Sequence, residues 1–295
     1  MEYTAADGNV KTESYPAIDR APVDTEQASA LIGDYVRAVG QSTTLRGYTF
    51  TIRACVMDEN GIGAVTIDVE NPNGVSQQTA FDGEIPPYSI AFRLDGENQN
   101  FDDRGFIDEA SSTDTCVRWV YYLIAKSAPD SGITVELRVR NEESSGEKAP
   151  LYETAELAIP QAEYVPAARF TGGEFEAELS PVGLTLRVTD MDADSILDLN
   201  AKDLVIRYAD GSEYVVVGEE LSSTSVGFLR DGGEVCLSLN RLVDVDAVRE
   251  IYLRGYYYEP ITIDMDGMTE SPEAPAAPTD IAEPEITDFD LTLTR

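Results

Sequence analysis

The stretch Phe50-Thr51-Ile52-Arg53-Ala54-Cys55-Val56 decides the fold class. Phe50, Ile52, Ala54 and Val56 alternate with Thr51, Arg53 and Cys55, and a period of two marks a strand with one face in a core. Asn60-Gly61 follows, and both residues tolerate the positive φ of a tight hairpin turn. The return run carries Val65, Ile67 and Val69 between Thr66, Asp68 and Glu70, until Asn71-Pro72-Asn73-Gly74 breaks it. Two alternating runs across such a turn predict an antiparallel hairpin.

Outward from this hairpin the alternation recurs. Residues 89–94, 116–125 and 133–140 read as strands; in the last, Ile133, Val135, Leu137 and Val139 share one face. Asn141 to Pro150 reads as a loop, and Leu151 to Ile159 as a closing strand. Gln161 to Ala168, with Pro160 and Pro166, is the best domain boundary. The pattern then restarts at Phe175, Ala177 and Leu179, and again at Leu184, Leu186 and Val188. Leu204 to Tyr208 faces Tyr214 to Val217 across Asp210-Gly211, and Phe228-Leu229 faces Val235 to Leu239 across Asp231-Gly232-Gly233. Glu250 to Tyr258 and Ile261 to Ile263 close the series.

One helix is expected ahead of the hairpin. Ala28, Leu31, Ile32, Tyr35, Val36 and Val39 form a stripe at helical spacing, with Asp24 or Thr25 as its cap and Gly40 as its stop. The expected organisation is an N-terminal segment with this amphipathic helix (1–40), two tandem antiparallel β-sandwiches (41–160 and 161–267), and an acidic, proline-rich tail (268–295). Phe289, Leu291 and Leu293 alternate inside that tail, which leaves room for a final docked strand. Parallel α/β folds are excluded, because no repeated crossover helices occur.

Charge is spread along the whole chain. Its 55 acidic and 21 basic residues give a formal net charge of −34. Residues 1–160 hold 27 acids and 12 bases, so neither half escapes the excess. Such a surface repels nucleic acid and anionic headgroups and suits cationic partners, divalent ions or plain solubility. No apolar run approaches the roughly 20 residues that span a bilayer, and Met1 to Val10 lack the features of an export signal. The expected setting is extracellular, with membrane attachment only through an anchor outside these residues.

Candidate chemistry is sparse. There is no histidine, which removes Ser-His-Asp and Cys-His sites and the commonest metal ligand together. Cys55, Cys116 and Cys236 lie far apart; Cys55 and Cys116 can pair if their strands are neighbours, or all three are buried free thiols. Asp190, Asp192, Asp194 and Asp198 alternate like a calcium loop, but Ser195 and Ala201 stand where that loop needs Gly and Glu. Acidic loops between strands are also ordinary in so acidic a chain. Trp119, Tyr256 and Tyr258 are candidate aromatic platforms for a glycan or peptide, against the simpler role of filling half-buried sheet positions. Gly61-Ile62-Gly63 leads into a strand, the wrong setting for a phosphate loop. No catalytic residue, cofactor ligand or metal ligand is assigned, and the chain is expected not to be an enzyme.

Two groups of segments carry a resemblance. Gly47 to Ile52, Val56 to Gly63 and Glu70 to Gly74 resemble the first half of the extracytoplasmic region of Gram-positive anti-sigma-factor-like membrane proteins. Leu179-Ser180-Pro181-Val182-Gly183-Leu184-Thr185-Leu186, Tyr208 to Ser212 and Asn240 to Asp246 are similar to the companion immunoglobulin-like domain of that family. The resemblance covers about residues 41–265 and implies two immunoglobulin-like sandwiches outside the cell, sensing an extracellular protein or cell-wall ligand. It supplies no catalytic residues. The family's membrane helix and sigma-binding segment have no counterpart among these 295 residues. The rival expectation is a secreted adhesin or carbohydrate-binding module using Trp119 or the tyrosines at 256 and 258. A plain structural spacer is the third.

Overall fold

The structure is a computed structural model that describes residues 2–4, 10–12, 30–75, 87–96, 101–125, 127–140, 152–160, 163–189, 198–218, 226–230, 234–258 and 286–295. It is all-β. A short hairpin joins β1 (Glu2–Thr4) to β2 (Val10–Thr12). The first block contains β3 (Arg37–Ala38), β4 (Ser42–Leu45), β5 (Tyr48–Met57), β6 (Ile62–Glu70), β7 (Tyr88–Leu94), β8 (Phe101–Ile107), β9 (Cys116–Ala125), β10 (Ile133–Arg140) and β11 (Tyr152–Ile159). Its larger sheet runs β3-β5-β6-β9-β8 with β4 also on β5; its smaller sheet runs β11-β10-β7.

The second block contains β12 (Ala168–Gly172), β13 (Phe175–Leu179), β14 (Gly183–Val188), β15 (Asp198–Tyr208), β16 (Glu213–Val217), β17 (Val226–Arg230), β18 (Glu234–Ser238), β19 (Val248–Tyr258) and β20 (Ile286–Thr294). These form one nine-stranded path, β16-β15-β19-β20-β12-β13-β14-β18-β17. Leu204 and Tyr214 from one end share a core with Leu184 and Leu186 from the other, so the sheet doubles back on itself.

The first hairpin shows why the pattern works and where it breaks. Asp58 to Gly61 turns as expected, with Gly61 at φ +82°. Its backbone is tightly held, since a Cβ there would lie 2.7 Å from the Ser127 carbonyl group. Phe50 and Ile52 face the smaller sheet, where they pack with Tyr88, Phe92, Val135 and Leu137. At Arg53 the register slips: Ile52 pairs with Ile67 and Ala54 with Thr66, leaving Arg53 as the extra residue of a bulge. One inserted residue flips every side chain beyond it. Cys55 and Met57 therefore continue the inner face, while Ala54 and Val56 point to the other side of the sheet. The single apolar face expected over Phe50–Val56 is thus two faces.

Both faces of the larger sheet are covered. Ala54, Val56, Ala64, Val120 and Tyr122 pack on Ile32 from the N-terminal side, on Val165 of the connecting chain and on Val182 and Leu242 from the second block. Thr66, between them on the sheet, is 0% exposed. Ile62 and Ile124 close over Cys236 of β18. Each large aliphatic buried in this way contributes roughly 1.5–3 kcal/mol.

Two expectations need correction. The helix stripe does not extend to Val39: helical residues end at Ile32, a turn follows, and Arg37–Ala38 pairs with Ala54 and Cys55 of β5. Residues 24–29, the expected cap region and first turn, lie outside the described residues. Residues 286–294, at the end of the expected tail, form β20, a docked strand of the kind that the alternation of Phe289, Leu291 and Leu293 left room for, and pair with Glu250 to Tyr258 of β19. Strands β1, β2, β4, β8 and β12, like β3, had no counterpart among the expected strands.

Candidate functional site

The residues at the junction of the two blocks form the most elaborate polar site in the described structure. Asp58 opens the β5–β6 turn, and its Oδ1 accepts the N–H groups of Asn60 at 3.0 Å and Ile62 at 2.8 Å. This is an Asx turn, the local bonding that suits aspartate to such positions. Its Oδ2 accepts the hydroxyl of Ser180, at 2.6 Å, from the turn between β13 and β14. The Ser180 Oγ in turn accepts the N–H groups of Val182 at 3.2 Å and Gly183 at 2.9 Å. Asp58 and Ser180 are both 0% exposed, so a carboxylate is buried here with donors from both blocks.

The connecting chain reinforces the contact. Val165 donates its N–H to Met57 O at 2.9 Å, and Glu59 donates its own to Val165 O at 3.1 Å. Ala167 N–H reaches Glu59 Oε1 at 3.0 Å. The turn at 180–183 is pinned from behind by Leu239 N–H on Val182 O and Val243 N–H on Pro181 O, each at 3.0 Å. Gly183 is required by space, since a Cβ would lie 2.6 Å from the Ile62 side chain. The segments Val56–Gly63 and Leu179–Leu186, which carry the resemblance in the two halves, are the ones that meet here.

This seam also holds buried hydroxyls without partners. Thr66 Oγ1, Tyr122 Oη and Ser238 Oγ are buried and make no hydrogen bond. Burial drives the Tyr122 phenol far above its ordinary value.

A second surface is the outer face of β15, β19 and β20. Arg207 donates to Glu213 at 2.9 Å and to Glu250 at 3.1 Å, and its guanidinium lies 4.7 Å from the Tyr252 ring centre. Arg254 pairs with Asp203. Hydrogen bonds from Arg249 and then Arg207 hold Glu250 below the usual carboxylate range. Tyr256 belongs to this face, with Lys202 Nζ 5.7 Å from its ring centre. The two described tyrosine rings of the face therefore already carry cations. The side chain of Tyr258 lies outside the described residues.

Trp119 is not a free platform. Its indole N–H donates to Tyr88 Oη at 2.9 Å, its ring stacks on Tyr121, and it packs on the first core. Burial pushes the Tyr88 phenol up to about 12.

The cysteines are free. Cys55 lies opposite Val65, and Cys116 opposite Glu70 on the far side of β6, so a third strand separates theirs. Five residues of offset alone is roughly 16 Å at strand spacing, beyond the roughly 7 Å limit of a disulfide. Cys55 borders a cavity of about 30 Å³ lined also by Tyr35, Arg37, Met57, Ile159 and Tyr164, room for a water molecule or two. Burial lifts this thiol to about 12, with Arg37 pulling weakly the other way, so it is no nucleophile at neutral pH. Among the described residues no group of three or more Cys, Asp or Glu side chains is placed to hold a metal. Asp190, Asp192 and Asp194 lie outside them.

No family model matches this chain, and no curated protein or solved structure does.

Sequence reading missed Asp58 and Ser180. Asp58 and Ser180 stood only inside the segments that carry the resemblance, and nothing in Ser180-Pro181-Val182-Gly183 says that its hydroxyl meets a carboxylate 122 positions away.

Proposed function

We propose that this chain is a non-catalytic, extracellular sensing or interaction region built from two immunoglobulin-like sandwiches, belonging to a membrane-anchored, anti-sigma-factor-like regulator. The observation that carries the reading is the Asp58–Ser180 seam. A sensing region must pass an event at one block to the other, and two blocks joined by a flexible linker alone dissipate it. Here a buried, charge-assisted hydrogen bond and a shared apolar cluster fix their relative orientation. The sequence resemblance supports the regulatory half of the proposal, and the uniformly acidic surface favours a cationic extracellular partner.

The test is a sigma-dependent reporter in a cell carrying the full-length protein. Deleting residues 163–258, or separating the blocks with Asp58→Leu, is expected to change reporter output. An unchanged reporter with either variant present at the cell surface would remove the regulatory reading. The glycan-binding alternative gains nothing from the geometry, because Trp119 is engaged in the core and Lys202 sits over Tyr256.

A further inference from the structure

β20 is joined to its sheet in an unusual way. It pairs with β19 at all nine positions from Ile286 to Thr294, yet on its other side it pairs with β12 only at Thr171–Thr294. It is thus a central strand bonded along one edge for most of its length. Its inward side chains are those of a ligand in a groove. Phe289 lies opposite Gly255, the one position of β19 without a side chain, and fills that gap against Phe175, with ring centres 4.8 Å apart, and Tyr257 at 6.3 Å. Leu293 is 0% exposed and Phe289 6%. At the far end Gly172 lets the β12 backbone approach, since a Cβ there would lie 2.3 Å from Thr292 O.

The covalent connection does not force this placement. Tyr258 and Ile286 are paired neighbours, yet 27 residues (259–285) separate them in sequence. Fully extended, that length reaches roughly 90 Å, where a two-residue turn would have sufficed. Main-chain pairing to one sheet edge plus pockets for alternate side chains is the chemistry of strand addition. We propose that the channel between β19 and β12 is a strand-acceptor site. Its ligand is an extended peptide with apolar residues at alternate positions, of the sequence of residues 286–294. The chain fills the site with its own segment.

The test uses the full chain with a protease recognition sequence inserted after Glu273. After cleavage, a fluorescent synthetic peptide of residues 286–295 is expected to exchange into the protein. Unlabelled peptide should compete, and a peptide carrying Phe289→Ala should compete at least about a hundredfold more weakly, as loss of a buried aromatic demands. A cleaved protein that keeps its native circular dichroism but never takes up the peptide overturns the proposal. Hydrogen exchange on the intact chain gives an independent answer even if the cleaved form does not stay folded. Amides of β20, together with the β19 amides that pair with it, are expected to exchange by local opening, ahead of those of β15. Protection of β20 equal to that of β15 in the intact chain would overturn it.

Discussion

Replacing Ser180 with alanine should reveal how much the seam contributes. The Ser180 hydroxyl donates to the buried Asp58 carboxylate and accepts from two backbone N–H groups, so one oxygen serves three bonds. A hydrogen bond to a charged group contributes about 1.5–3 kcal/mol, and each buried donor left unpaired costs about 1–3 kcal/mol more. Members of one network are not additive, so we expect a loss of about 4 kcal/mol rather than the full total. Urea unfolding at pH 7 measures this, followed by the fluorescence of Trp119, the only tryptophan and a reporter on the first block, and by far-ultraviolet circular dichroism over both. The wild type should unfold with coincident transitions, because the seam makes the blocks share a core. The variant midpoint should fall by roughly 1–2 M. Ser131→Ala is the matched control: its hydroxyl also donates to a carboxylate, that of Asp95 at 2.8 Å, but in an exposed turn. The control should lose less than about 1 kcal/mol. Equal, small losses in the two variants would refute the reasoning that burial at the seam sets the scale.

Other consequences follow from the same contacts. Thr66→Val and Tyr122→Phe remove buried hydroxyls that bond to nothing, so each should raise stability by about 1 kcal/mol in the same urea assay; destabilisation would show that those hydroxyls are satisfied in solution. At pH 8, a thiol reagent should modify only the partly exposed Cys116 in the native protein, with Cys55 and Cys236 reacting after unfolding. Asp95 is held below its ordinary value of 3.8, chiefly by the Ser131 N–H. A depressed carboxylate stabilises above its unfolded pKa and loses that contribution as pH falls through the folded one. Asp95→Asn should therefore be less stable than wild type at pH 6, with the gap closing below about pH 4; a gap that stays constant to pH 2.5 would contradict this assignment.

Much of the fold was legible because strands announce themselves locally. The runs at 116–125 and 133–140 coincide with β9 and β10, and Asn60-Gly61 and Asp210-Gly211 turn where expected. What escaped depends on partners distant in sequence. The bulge at Arg53 exists only relative to β6, so alternation along β5 cannot reveal it. Tyr35, Val36 and Val39 fit a helical stripe, but pairing of Arg37 and Ala38 with β5 overrides that preference. β8 reads Phe-Asp-Asp-Arg-Gly-Phe-Ile, whose charged centre hides a strand at a sheet edge. The candidate site was the least legible part. A buried Asp–Ser contact between two turns leaves no periodic trace, since each residue is also an ordinary turn former.

The seam and the charge distribution point the same way. On the second block, Arg187 pairs with Glu178 and Glu234, Arg169 with Glu176, Arg207 with Glu213 and Glu250, and Arg254 with Asp203. Each arginine pairs with an acid on a neighbouring strand, where unrelieved like charges would repel. Exposed pairs of this kind contribute at most about 1 kcal/mol each, so they offset repulsion and do not carry the fold. Stability in so acidic a chain must then come from apolar burial and from the few buried polar contacts, of which Asp58–Ser180 spans the two blocks. With these arginines engaged by acids on the chain itself, an anionic partner would have to displace existing ion pairs. A cationic partner meets carboxylates left over by the imbalance of 55 to 21, and a strand-like partner needs only shape and backbone.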